Sequence, residues 1–406
     1  MKYIIITPNL SGIGGAEIYT LKRYEHLTDK GYNVLIITGE IEPFILKDKF
    51  RNAQIYCNTI FLHHPHFNSF RKRNKIYNYF INNANIDKKE EVIIESHSLN
   101  SSLHAEYISN KLTSKHLTYL LNEQKITSKY YCKKTINYYL DKCIKGELIG
   151  INSKTIPIVF NNSNVMNNYI NIGFDTRDLT TDNQIIDELI NQSDGFRIGT
   201  ISRLEKKYLY ELYKVMSEMS ANDIINKYNL FIIGDSNDKA ISNKIKTDFK
   251  NTKNFNVHLL GYINPLSKSF FKNIHVFVGM GTSAVNSISS NCPTIVVDPS
   301  NNRCSGIFGI DTSNFAYPDD GIYYDLDEKI KEILFNKDKA EIAKKRGVEL
   351  FHSEFDQKSI MNKIDAYIIN IETKKNTVKF KRTTSSYLHL AIFFIFGDKL
   401  HKKILR

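Results

Sequence analysis

Two glycine-rich segments of this chain have the residue types that hold phosphate groups in proteins. One is Gly12–Glu17, which follows the apolar strand pattern Lys2–Thr7, and the other is Gly279–Ser283, which follows Val276–Val278. A turn that opens a helix at the end of a parallel strand points free backbone N–H groups and the positive end of the helix dipole toward a ligand. Because the segments lie about 270 residues apart, they predict two domains that face one ligand.

Basic side chains follow a third strand pattern. Arg203 comes two residues after the run Arg197–Ile201, and Lys206 and Lys207 follow it. When a bond to a diphosphate breaks, the leaving group gains negative charge, and without a metal ion fixed cations and N–H groups must stabilise that charge. A guanidinium binds phosphate through two hydrogen bonds and a lysine supplies a point charge. The segment is therefore a candidate phosphate site; the alternative is a solvated run of charges at the start of a helix.

Strand and helix patterns alternate along the chain, as they do in α/β domains with parallel sheets. Apolar runs predict strands at Lys2–Thr7, Asn33–Thr38, Val92–Glu95, His116–Leu121, Glu147–Asn152, Arg197–Ile201, Asn229–Ile233, Val257–Leu260, Val276–Val278 and Thr294–Val297. The predicted order is an N-terminal Rossmann-like domain at residues 1–180, a polar linker at 181–195, a second Rossmann-like domain at 196–345, a C-terminal helix at 346–372 and a basic tail at 373–406.

The composition is that of a globular protein. Of 406 residues, 42% are hydrophobic and 24% charged, and this length fits two domains. The five cysteines are odd in number and form no Cys-x-x-Cys pair, so neither a disulfide framework nor a zinc site is expected. The N-terminal residues have no signal-peptide pattern, and no apolar run reaches the length of a membrane span. A cytoplasmic protein is the prediction.

Five segments, in order along the chain, resemble the retaining glycosyltransferases of family 4, which include many bacterial enzymes for capsule, O-antigen and core sugars. They are Gly12–Glu17, Gly199–Lys207, Phe231–Asp235, Val257–Gly261 and Gly279–Val297. The resemblance covers about three hundred residues and implies the GT-B fold, in which two Rossmann-like domains face each other across a cleft. It also implies transfer of a sugar from a nucleotide-sugar donor to a growing surface glycan that is lipid-linked, with retention and without a metal ion or other cofactor.

The same resemblance assigns roles to individual residues. The residues implied to bind the donor are Gly14, Gly15, Lys206, Gly281, Thr282, Ser283 and Asn286. The residues implied to be catalytic are Arg203, Lys207 and His97, the last because it follows a strand where family members often carry a histidine near the donor sugar. Glu123 is a further candidate on the acceptor side. For a lone histidine, a structural role is the alternative.

The chain departs from the family at three positions. The family has two glutamates separated by seven residues, and counting back from Pro293 places Val278 and Asn286 at those positions. Asn286 can accept a hydrogen bond from a ribose hydroxyl as the second glutamate does, but Val278 cannot replace the first. The family lysine lies five residues after the arginine, whereas Lys206 and Lys207 lie three and four residues after Arg203.

These departures leave alternatives open. The first is a transferase subgroup with altered donor recognition, which the retained Arg203 and both glycine-rich segments favour. The second is a GT-B protein without transfer activity that binds a partner transferase or a glycan. A third is another GT-B enzyme, such as a nucleotide-sugar epimerase. The expected partners of the first are a nucleotide-sugar donor and a saccharide or lipid-linked saccharide acceptor.

Charge is concentrated at the C-terminal end. Nine lysines and arginines and one aspartate lie in residues 373–406, so +8 of the net charge of +12 falls there. The rest of the chain is near neutral, which argues against a nucleic-acid partner. Within this tail, Tyr387–Phe396 is a mostly apolar run between basic clusters, a pattern typical of segments that lie in the interface of an anionic membrane. A final helix packed on the folded body is the alternative.

We expect deletion of residues 376–406 to move the protein from membranes into the soluble fraction. Each basic residue near an anionic surface contributes about 1 kcal/mol of attraction, and the aromatic side chains add apolar burial. Sedimentation with anionic vesicles measures this: binding of the intact chain should weaken as salt is raised, with a residual part due to Phe393, Phe394 and Phe396. An insoluble or unfolded truncated protein would show instead that the run belongs to the core.

Overall fold

The computed structural model describes residues 1–372, apart from 12–14, 45, 51, 66–67, 85, 87–89, 127–130, 132, 163, 181–183, 237 and 264. The chain forms two compact units. Unit 1 runs from Met1 to Ile172 and resumes at Ile360, and unit 2 is Gly173–Ser359. The predictions for Gly14 and for the tail at 373–406 lie outside the described residues. In the part that is described, no helix is long and apolar enough to cross a membrane.

Unit 1 is built on a six-stranded parallel sheet in the order β3-β2-β1-β4-β5-β6. Its strands are β1 (Lys2–Asn9), β2 (Asn33–Glu40), β3 (Gln54–Cys57), β4 (Val92–Ser96), β5 (Lys115–Leu120) and β6 (Leu148–Gly150). The order reverses between β1 and β4, the kind of switch point at which open α/β sheets bind ligands. The predicted strands of this half are confirmed, and β3 is an addition.

Helices cover both faces of this sheet, and those that come before unit 2 in the chain are α1 (Gly15–Asp29), α2 (Phe70–Asn83), α3 (Leu99–Leu112), α4 (Lys133–Ile144) and α5 (Thr155–Phe160). Alternate side chains of a strand point to opposite faces. Tyr3 and Ile5 therefore belong to one core with α1, and Ile4 and Ile6 belong to another with α2 and α3. Because both faces are covered, the strands are apolar runs without polar alternation.

Unit 2 repeats this plan in the order β12-β11-β10-β7-β8-β9. Its strands are β7 (Phe196–Ile201), β8 (Tyr228–Ile233), β9 (Phe255–Gly261), β10 (Val276–Gly279), β11 (Thr294–Val297) and β12 (Cys304–Ile307). All pairs are parallel except β11 with β12, which is antiparallel. The order reverses between β10 and β7, so the carboxyl ends of these two strands mark the switch point.

The helices of unit 2 are α6 (Gln184–Asn191), α7 (Tyr208–Asn222), α8 (Lys239–Asp248), α9 (Lys268–Asn273), α10 (Thr282–Ser289), α11 (Leu326–Phe335) and α12 (Lys337–Glu354). The predicted linker at 181–195 contains α6. This helix buries Ile186 and Ile190 with Phe270 and Phe271 of α9. Polar composition alone had suggested a linker, but the spacing of the two isoleucines is helical.

The last described helix, α13 (Gln357–Ile369), packs on unit 1, so the unit boundaries differ from the predicted domains. Arg23 of α1 donates hydrogen bonds to Glu95 of β4 (2.9 Å) and to Asp365 of α13 (2.6 Å). Burial alone would raise the pKa of Glu95, but Arg23 and hydrogen bonds from His97 and Tyr3 lower it far below its usual value. This buried network therefore stays ionised and fixes α13 on the sheet.

A buried histidine predicts how stability depends on pH. His104 of α3 donates from Nε2 to the His63 carbonyl (2.8 Å), so its neutral Nδ1 accepts the Tyr77 hydroxyl (2.5 Å). Burial, with Arg73 nearby, lowers the pKa of His104 to about 4. The unfolded chain takes up this proton near pH 6.5, so stability is present above that pH and is lost as pH falls toward 4.

We expect this histidine to account for about 2–3 kcal/mol of the stability lost between pH 7 and 4.5. His104→Gln keeps a donor for the His63 carbonyl without a titratable ring, so it should be less stable at pH 7 but lose less stability on acidification. Urea unfolding of both proteins at a series of pH values measures the difference. Parallel pH curves for the two would contradict the assignment.

Candidate functional site

The carboxyl ends of β7 and β10 lie side by side at the switch point of unit 2. Ser283, in the first turn of α10, joins them: its hydroxyl donates to the carbonyl of Met280 (3.0 Å) and lies 3.4 Å from the carbonyl of Ile201 at the end of β7. The side chain is buried. Ser283 therefore holds the start of α10 beside the loop that carries Arg203. Because its hydroxyl is engaged, the contact predicted between Ser283 and the nucleotide sugar would be made by its backbone N–H group.

The N-terminus of α10 is open. Gly281 precedes it with φ +64° and ψ −140°, a conformation that favours glycine, and no side chain caps the helix. A Cβ built on Gly281 would meet no atom within 4 Å. The first N–H groups of a helix have no partner within it, so Thr282, Ser283 and Ala284 present backbone donors at this end. The exposed Thr282 and the half-exposed Asn286 lie on the same short helix.

The loops after β7, β8 and β9 are tied to one another through their backbones. Gly234, which follows β8, lies so close to β7 that a Cβ there would be 1.8 Å from the Ser202 carbonyl oxygen. Its N–H donates to the Gly261 carbonyl after β9 (2.8 Å), and the Ser202 N–H donates to the Ile233 carbonyl (2.9 Å). The carboxyl ends of β7, β8 and β9 are thus joined into one edge of the sheet, next to the loop at residues 203–207.

The basic loop, residues 203–207, is a tight turn on this edge. Lys206 donates its N–H to the Arg203 carbonyl (3.1 Å), and Lys207 precedes α7 directly. The side chains of Arg203 and Lys207 are exposed and that of Lys206 is half-buried. Ser236, after β8, donates to Glu205 (2.6 Å). That hydrogen bond lowers the pKa of Glu205, and the charge of Arg203 lowers it further.

Two departures from the family pattern have a structural explanation. Val278 lies within β10, fully buried among core side chains such as Ile198 and Ile295, so the strand leads straight into the glycine turn and no side chain at this position reaches a ligand. The fifth residue after Arg203 is Tyr208, which is buried and bonded through its hydroxyl to Thr200 (2.8 Å). The cations nearest to the family's position are therefore Lys206 and Lys207.

His97 lies in the interior of unit 1. Its Nε2 is 3.0 Å from a Glu95 carboxylate oxygen and its Nδ1 is 3.2 Å from the Thr20 hydroxyl. The side chain is fully buried beside Tyr19. Both ring nitrogens are thus engaged in the network that includes Arg23. These partners fit the structural alternative for a lone histidine, and the contact of His97 to the donor sugar stays a prediction.

The other candidates of unit 1 lie at loops. Gly15 is the first residue of α1, the helix that follows β1 in the chain, and a Cβ on it would meet no atom within 4 Å. It therefore has the open surroundings that the phosphate hypothesis requires, although the residues before it are not described. Glu123 follows β5 and is half-buried.

The fold and the edge of unit 2 define the class of protein: two Rossmann-like α/β units with the GT-B glycosyltransferase fold. A glycosyltransferase from Rickettsia africae is similar, with a TM-score of 0.65 and 16% identity over 91% of this chain and 99% of that one. Anabaena HepE in complex with UDP gives a TM-score of 0.60 and 13% identity over 91% and 100%.

The lipopolysaccharide outer core galactosyltransferase WaaB is similar with a TM-score of 0.55 and 14% identity, over 91% of this chain and 99% of that one. No protein-family model matches the chain, and no curated protein matches its sequence. At these identities the likeness establishes the fold. The activity has to be argued from the residues at the site.

We expect the open end of α10 to bind a diphosphate through its backbone. Thr282→Pro removes one N–H donor at the first helical position, where proline is compatible with a helix. A hydrogen bond to a charged group contributes about 1.5–3 kcal/mol, so the affinity for UDP should fall roughly tenfold or more. Thr282→Ala, which keeps the N–H group, is the matched control. Calorimetry measures both affinities; equal affinities in the two variants would exclude a backbone contact at Thr282.

Proposed function

We propose that this protein is a retaining, metal-independent glycosyltransferase that moves a sugar from a nucleotide-sugar donor to a cell-surface glycan. The observation that supports it most is the juxtaposition made by Ser283: the open N-terminus of α10 lies beside the loop that carries Arg203, Lys206 and Lys207. Backbone donors and a helix dipole lie next to a loop that carries three cations, and these are the groups that a diphosphate leaving group requires.

Each group has a proposed part in the reaction. The amides at the start of α10 and the Arg203 guanidinium bind the diphosphate and stabilise the charge that develops on it as the glycosidic bond breaks. Lys207, with Lys206 beside it, adds a point charge to the same leaving group. Asn286 accepts a hydrogen bond from a ribose hydroxyl. In unit 1, Gly14 and Gly15 are proposed donor contacts, and the donor phosphate assists deprotonation of the acceptor.

The donor and acceptor classes follow from chemistry and from similar structures. Anabaena HepE has been solved with UDP, with UDP and glucose, and with UDP-glucose, which supports a uridine nucleotide as the first donor to test. The similarity to WaaB, named for the lipopolysaccharide outer core, supports a surface polysaccharide such as lipopolysaccharide core, O-antigen or capsule. A lipid-linked acceptor at the cytoplasmic face of the inner membrane would suit the basic tail.

We expect Arg203→Ala to lower kcat/KM by about thirtyfold to a thousandfold, or about 2–4 kcal/mol of transition-state stabilisation, with the fold unchanged. Arg346→Ala is a matched control, because Arg346 is an exposed arginine on α12 of the same unit. Lys206→Ala and Lys207→Ala, measured separately, show which lysine carries the charge. Release of UDP from UDP-sugars with a saccharide acceptor is the assay, and normal turnover in the Arg203 variant would remove this assignment.

A non-catalytic GT-B protein is the second candidate, and the burial of Val278 is the observation that favours it. With this position inside the core, the turn carries no carboxylate to orient the donor sugar. Calorimetry against UDP, GDP, CDP and ADP separates the two functions. Binding of a nucleoside diphosphate together with turnover supports the transferase, whereas the absence of any nucleotide binding by the wild-type chain supports a scaffold or partner-binding role.

A further inference from the structure

The most exposed large apolar side chains of the described residues are two neighbours, Ile224 and Ile225, with 86% and 88% of their surface accessible. They lie between α7 and β8, at the edge of the unit 2 sheet where the strands begin. Scattered single apolar residues are common on protein surfaces. An adjacent pair that is almost wholly exposed is different, because its hydration costs free energy that a packed loop would avoid.

Hydrogen bonds to Asp223 fix the loop that exposes this pair of isoleucines. The Asp223 carboxylate accepts hydrogen bonds from the backbone N–H groups of Ile225 (3.0 Å) and Asn226 (3.1 Å) and from the Tyr228 hydroxyl (2.7 Å). The Asn226 side chain donates to the same carboxylate at 2.7 Å. Four hydrogen bonds to one carboxylate fix the loop without any contribution from the isoleucine side chains, so the apolar pair is presented on a preformed turn.

The surroundings of the pair are basic and partly apolar. Asn254 donates to the Asp223 carbonyl (3.4 Å), which brings the exposed Lys250 and Lys253 of the next loop to the same edge. Lys227 lies in the isoleucine loop itself and is exposed, and its ammonium group pairs with the Asp194 carboxylate (3.5 Å). Phe335, 52% exposed, packs on Phe196 at the start of β7 (5.2 Å). Exposed apolar side chains next to lysines are typical of protein surfaces that bind anionic membranes.

We propose that residues 223–227 form a membrane-docking loop, in which Ile224 and Ile225 insert among the lipid acyl chains while the neighbouring Lys250 and Lys253 contact anionic headgroups. This surface lies in unit 2 and is distinct from the C-terminal tail. It does not depend on the proposed transferase activity. The candidate nucleotide edge lies at the opposite ends of the same strands, about 20 Å away, so a docked unit 2 exposes that edge to water.

The chain contains no tryptophan, so Ile225→Trp in the full-length protein is a single local reporter. With vesicles of phosphatidylcholine and phosphatidylglycerol, its emission should shift to shorter wavelength and be quenched by brominated acyl chains. Ile144→Trp is the matched control, because Ile144 is an exposed isoleucine at the end of α4 in unit 1. Its emission should stay at the wavelength of a solvated indole even when the tail holds the protein on the vesicle.

Partition measurements with the same vesicles complete the test. Ile224→Ser with Ile225→Ser should lower vesicle binding roughly tenfold or more, because two apolar side chains no longer insert, whereas Ile144→Ser should not change it. Lys250→Gln with Lys253→Gln should weaken binding to anionic vesicles and leave neutral vesicles unaffected. An unshifted indole emission from the vesicle-bound Ile225→Trp variant overturns the proposal. A shift that occurs without vesicles and grows with protein concentration also overturns it, and identifies a contact between copies of the chain.

Discussion

The candidate site depends on how closely two strands of unit 2 approach where they end. A side chain of any size at position 234 would collide with the Ser202 carbonyl, so glycine is required there, and the loops after β7, β8 and β9 share backbone hydrogen bonds as a result. Ser283 extends this rigid edge to α10. Backbone hydrogen bonds and the Ser283 hydroxyl thus place the loop that carries Arg203 beside the N-terminus of α10.

Much of the fold was predictable because the strands of a covered parallel sheet are apolar runs. The elements that were not predicted from the sequence lack such an apolar run. The edge strand β3, Gln54–Cys57, is only partly buried, and β12, Cys304–Ile307, has few apolar residues and runs antiparallel. The helix α6 lies in a largely polar stretch, which predicts a linker, and the burial of Ile186 and Ile190 is not evident from composition.

The site was predictable in part, for a different reason. Residues that act through backbone and exposed charge, such as Gly281 and Arg203, are visible as motifs, and the structure places them on one edge. Their function stays a proposal. The environment of His97 was not predictable, because its partners Thr20 and Glu95 come from separate elements. Likewise, motif spacing identified Val278 as a departure but gave no indication that it lies inside a strand.

The return of the chain to unit 1 has a consequence for synthesis on the ribosome. Unit 2 is one continuous segment, whereas unit 1 needs α13, which is translated after all of unit 2. Until Asp365 emerges, the guanidinium of Arg23 has only one of its two carboxylate partners and the face covered by Ile360 and Ile364 is open. Because domains fold as units, unit 2 can complete its folding during translation before unit 1 does. The core of unit 1 is incomplete until α13 has been synthesised.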